Sequence, residues 1–123
     1  MENNEKEIIL DKIKLDKNLD LAFLLTNIIK KKYPYLEIRS KWNEPFFCFQ
    51  EKPIFYFTEK SKLDKTIFKE KTLFLGFMEG FKMYQSKLFI SSSHVQVRYV
   101  NLSKLNKSRY ETLIDLIGQC IEI

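Results

Sequence analysis

Glycine, proline and cysteine are scarce in this chain, with three, three and two copies in 123 residues. So few Gly and Pro exclude collagen-like, linker-like and low-complexity architectures. The two thiols, Cys48 and Cys120, lie far apart and neither belongs to a C-x-x-C pair, so two buried free cysteines are expected rather than a disulfide or a cysteine metal site. His94 is the sole histidine and follows Ser91-Ser92-Ser93, which is adjacency in sequence and not a nucleophile-base geometry. No glycine-rich phosphate loop and no H-E-x-x-H motif is present, so the chain is read as a non-enzyme without a cofactor.

Long hydrophobic runs are also missing. The most apolar window, Leu19 to Ile29, is broken by Asp20, Thr26 and Asn27 and falls short of the roughly 20 residues that span a bilayer. The opening Met1–Glu7 lacks the cationic and apolar regions of a secretory signal, and a cytoplasmic protein with no membrane association is expected. Charge is abundant but mixed: twenty-one Lys and Arg against sixteen Asp and Glu leave a net +5. That excess permits an acidic partner. Only Lys30-Lys31-Lys32 forms a run, so a phosphate-tracking surface is not indicated and nucleic acid is an unlikely ligand.

What the chain does have is 45% apolar residues, eleven of them phenylalanine, enough for one compact domain over residues 1–123. Residues 1–16 suit a short helix or an arm packed on the body. A stronger helix begins at Asp16, read as its N-cap, and repeats Leu21, Leu24, Leu25, Ile28 and Ile29 at helical spacing until Pro34 stops it. Phe46–Phe49 and Ile54–Thr58, two β-prone runs joined by a short polar segment, read as an antiparallel hairpin. The lysine-rich segment 59–71 suits a short helix or turn. Thr72–Met78 is apolar on both alternating faces, as a central strand requires, and Gly76 inside it marks a bulge or a close approach by another group. Gly80 suits the bend that follows. Leu88–Ile90 and Val95–Val100 add strands, and Ser108-Arg109-Tyr110-Glu111 fits a capping box opening a last helix with Tyr110, Leu113, Ile114, Ile117 and Ile121 on its apolar face. The fold class is α+β: an antiparallel sheet covered on one face by the N-terminal and C-terminal helices, the other face partly open.

The order of Lys41-Trp42 and Pro45-Phe46 before the hairpin, Leu75-Gly76-Phe77 with Gly80, and Val97-Arg98-Tyr99 before the last helix resembles the YdhG-like family of domains of unknown function, from about Leu19 onward. The resemblance implies a small α+β sandwich. Some members are described as frataxin-like intracellular iron chaperones, and many carry Arg-His where this chain has Arg98-Tyr99, which removes an imidazole suited to borderline metals.

Lys41, Trp42, Phe77, Arg98 and Tyr99 are the candidate ligand-binding residues, two cations and three aromatic rings suited to a small anionic ligand or a protein partner. The alternative is iron binding by surface carboxylates, for which Glu2, Glu5, Glu7, Asp11, Asp16 and Asp20, with the Glu111/Asp115 pair, supply hard oxygens diluted by lysines.

Overall fold

The computed structural model describes residues 1–59, 72–90 and 95–123. Within them the order is α1 (Asn3–Lys12), α2 (Asp16–Lys32), β1 (Glu37–Lys41), β2 (Glu44–Phe49), β3 (Lys52–Thr58), β4 (Phe74–Phe77), β5 (Phe89–Ile90), β6 (Arg98–Asn101) and α3 (Tyr110–Glu122). The strands form one antiparallel sheet in the order β1-β2-β3-β4-β6-β5. The α+β architecture expected from the sequence is therefore the one observed. The lysine-rich helix or turn and the Ser91–His94 loop fall outside the described residues.

Alternation along the strands sorts side chains onto two faces. Ile38, Phe47, Phe55 and Phe77, register partners in turn, line the helix side and are at most 2% exposed. Against them pack Ile9 of α1, Ala22, Leu25 and Ile29 of α2, and Leu113, Leu116 and Ile117 of α3. The second face carries the row Arg39, Phe46, Tyr56, Gly76, Tyr99 and Ile90. It is less open than expected, because Phe46, Cys48, Phe74 and Tyr99 are all buried. A small cluster of Phe74, Val97 and Tyr99, flanked by Tyr56 and Ile90, forms there.

Gly76 sits in that row as a steric necessity. A Cβ on it would lie 2.8 Å from Tyr56 Cε1 and 2.9 Å from Tyr99 Cε1. The two rings close over the glycine and their phenols share a 2.7 Å hydrogen bond. Gly80 likewise abuts Arg98, with 2.5 Å between a Cβ there and Arg98 Cβ.

Helix termini depart from the sequence reading. The residue preceding α2 in the N-cap position is Leu15, not Asp16, it makes no side-chain cap, and the chain entering the helix is held from a distance: Lys14 and Leu15 N–H donate to Glu59 Oε1 and Oε2 at 2.5 and 3.0 Å. Asn18 Nδ2 donates to the same carboxylate. A residue 45 positions away could not be found by local pattern. The box expected at Ser108 and Glu111 is absent as well, since a 3-10 turn at Lys107–Arg109 moves the start of α3 to Tyr110. A capping box does open α1, between Glu2 and Glu5.

Glu5 has a larger role. Its buried carboxylate accepts the Ile38 N–H at 2.7 Å and pairs with Lys30 Nζ at 3.2 Å, while Lys30 also donates to the Leu36 carbonyl. Lys41 and Glu44 flank a two-residue turn, so in β1 the Ile38 backbone points away from β2, toward the sheet edge. Glu5 thereby occupies an edge donor that would otherwise be a template for strand pairing. The opposite edge, β5, is only two residues long.

Candidate functional site

Both hairpins turn on two residues with positive φ: Trp42 and Asn43 at 48° and 62°, Gln50 and Glu51 at 49° and 69°. This is the geometry of a type I′ turn, which matches strand twist and favours Asn-Gly. Asn43 suits it. Trp42 does not, because a bulky side chain at positive φ is strained, and such strain concentrates at functional positions. The indole is nevertheless 67% exposed. The turn is steadied by Lys12 Nζ, which donates to Asn43 Oδ1 at 3.0 Å.

The ring of Trp42 meets Phe46 edge-on at 5.3 Å between centroids, which turns it toward the second face. From there aromatic contacts continue across the sheet: Phe46 stacks on Tyr56 at 4.6 Å, and Tyr56 meets Tyr99 at 6.3 Å. Burial raises the pKa of both phenols, making them weaker acids, with the Tyr99 hydrogen bond adding to the effect at Tyr56. Two neutral, bonded phenols form a floor and not a reactive pair.

The strand that enters this turn carries two cations. Arg39 and Lys41 are two residues apart in β1 and share the second face with Phe46 and Cys48. Arg39 Nη2 reaches Glu37 Oε2 at 2.7 Å, an exposed pair whose net strength is small because water screens it. Lys41 makes no ion pair among the described residues and stands half-buried beside the turn. Burial raises the Cys48 thiol, opposed by the nearby positive charges of Lys41 and Arg39, so this cysteine is an inert core group.

The five residues singled out in the sequence therefore divide. Lys41 and Trp42 stand together at the β1–β2 turn. Tyr99 joins them through the Phe46–Tyr56 contacts but is itself buried. Phe77 and Arg98 are register partners on the helix side, Phe77 fully buried. Arg98 Nη1 donates to the carbonyls of Val95 and Val97 at 3.0 and 3.4 Å. Three strands separate β1 from β6, so Trp42 and Arg98 stand about four strand spacings apart, roughly 19 Å, and do not border one pocket. Arg39 was passed over in the sequence because β1 holds a single apolar residue, Ile38, and too little alternation to announce a strand.

A depression of about 200 Å³ lined by Lys52, Pro53, Ile54, Met78, Glu79, Cys120 and Ile123 is too small for an ordinary ligand site. Burial pushes the Cys120 thiol up to about 12, which leaves it protonated and unreactive. Among the described residues no three of His, Cys, Asp and Glu converge on a position for a metal ion, and Glu5 is committed to Lys30 and Ile38. No helix among them is long and apolar enough to cross a membrane.

The fold makes this an α+β protein, with its tryptophan exposed at a hairpin turn. Comparison with protein-family models, curated proteins and solved structures returns no match.

Proposed function

We propose that the chain is a non-enzymatic, cytoplasmic binding domain that docks an anionic partner at the corner formed by Trp42, Lys41 and Arg39. The order of Lys41-Trp42, Leu75-Gly76-Phe77 and Arg98 supports grouping it with YdhG-like domains, but the docking reading does not depend on that grouping. The observation that carries it is Trp42: the only tryptophan, two-thirds exposed, at a backbone position that costs stability to occupy. Exposed tryptophan next to arginine is the composition of interface hot spots, where a rigid ring supplies area at little entropic cost. Lys41, which makes no ion pair among the described residues although Glu44 is its register partner, supplies the charge preference. A catalytic reading gains no support at this corner, whose titratable groups are the two cations, Glu37 paired with Arg39, the buried Glu44 opposite Lys41 and a buried thiol.

Because Trp42 is unique, its fluorescence reports on this corner alone. Titration of the intact chain with poly-glutamate is expected to shift and quench its emission, reversibly in high salt. An emission spectrum that poly-glutamate leaves unchanged would refute the docking role.

A further inference from the structure

Resting on that reading, we infer that the partner is an extended acidic peptide segment, with two carboxylates spaced two residues apart and an apolar or aromatic side chain beyond them. Arg39 and Lys41 project from the same face of one strand at positions i and i+2, so their origins are about 6.6 Å apart. An extended chain presents its own alternate side chains at nearly the same interval. One carboxylate can thus face each cation while the residue between them points away. A helix would carry its i and i+4 neighbours about 5–6 Å apart, close to the same interval, and differs in putting three residues between the two acids where an extended chain has one.

The pair Arg39–Glu37 does not block this arrangement. Both side chains are exposed, and an incoming carboxylate exchanges with Glu37 at the planar guanidinium fork at little cost. Glu37 also lies on the second face, two residues before Arg39, so it disfavours a third acid there and favours a cation. At the other end Trp42 stands beside Lys41 with its ring braced on Phe46, and takes the apolar side chain. Pairing of the peptide as a seventh strand is disfavoured at Ile38, whose outward N–H is held by Glu5. The segment lies over the face of β1 and not along its edge.

The experiment compares four ligands of the intact chain by Trp42 fluorescence: a peptide with Glu-Ser-Glu-Ser-Phe at its centre, the same composition with the two glutamates adjacent, phosphatidylserine vesicles, and oligouridylate. The alternating peptide is expected to bind about tenfold more tightly than the adjacent one, and Lys41→Gln, which sets no second acid opposite Glu44, to remove that preference while the thermal midpoint stays unchanged. Equal affinity for the two peptides, or tighter binding of vesicles or oligouridylate, would overturn the peptide assignment while leaving an anionic docking site in place. Silence toward all four would remove the docking site itself.

Discussion

Replacing Gly76 by alanine sets two effects of opposite sign against each other. In a strand, alanine for glycine normally stabilises by about 0.4–1 kcal/mol, because the unfolded chain has less freedom to lose. Here the new methyl would stand 2.8 Å from Tyr56 Cε1 and 2.9 Å from both Tyr56 Cζ and Tyr99 Cε1, nearer than Cβ atoms approach other carbons. Both rings are pinned. Tyr56 is stacked on Phe46 and Tyr99 is 2% exposed, so neither can swing into free space. Overpacking of this kind costs about 1–3 kcal/mol, and separating the phenols forfeits a hydrogen bond contributing about 1 kcal/mol. The steric side wins by about 2–3 kcal/mol, which lowers the thermal midpoint by roughly 10 °C for a domain of this size. Urea denaturation followed by far-UV circular dichroism measures it, with the unfolding slope expected unchanged. A Gly76→Ala variant as stable as the parent, or more so, would show that the rings do not close over this position.

Gly118 allows a related test in the helices, since a Cβ there would lie 2.5 Å from Tyr33 Oη but 3.4 Å from Cζ. Gly118→Ala should destabilise the parent, which loses the Tyr33 hydrogen bond to the Ile114 carbonyl, yet stabilise a Tyr33→Phe background by close to the ~1 kcal/mol of helix propensity; the sign change in a double-mutant cycle is the diagnostic. Glu5→Ala leaves Lys30 without its carboxylate and should cost about 3 kcal/mol in chemical denaturation. It also frees the β1 edge, so light scattering should show self-association that an equally destabilised core variant such as Leu113→Ala does not. Burial holds the Tyr56 and Tyr99 hydroxyls above the ordinary tyrosine range. The unfolded state therefore loses these protons first, stability is full below about pH 10, and it falls as pH rises beyond that. Tyr56→Phe should flatten the fall in stability measured between pH 9 and 11. Finally, Trp42→Asn places a residue that accepts positive φ in the turn, and should leave stability equal or higher by calorimetry although a ring contact with Phe46 is lost.

The fold was legible where pattern is local. The Phe46–Thr58 hairpin, the central strand around Gly76, the helix stopped by Pro34 and the amphipathic C-terminal helix all carry their periodicity in the residues themselves. Gly76 was even readable as a place of close approach, though not which rings approach it. Long-range partners were not legible: nothing near Asp16 announces that Glu59 anchors the entry to its helix, and nothing in α1 announces that Glu5 guards an edge strand. The candidate site divides along the same line. Lys41-Trp42 stood out as a lone tryptophan beside a cation, and the structure keeps them together, Trp42 exposed and Lys41 half-buried. Arg98 and Phe77 were grouped with them by residue type alone, and only strand order shows that they lie on the helix side at β6 and β4.

The central claim is that binding occurs at the β1–β2 corner, and amide chemical-shift mapping of the ¹⁵N-labelled chain with the alternating acidic peptide tests it most directly. Shifts are expected to concentrate in residues 39–46, including the Trp42 indole N–H, with little change at Phe77, Gly80 or Arg98. Shifts centred on Arg98 and its neighbours, or none at Trp42, would contradict the account.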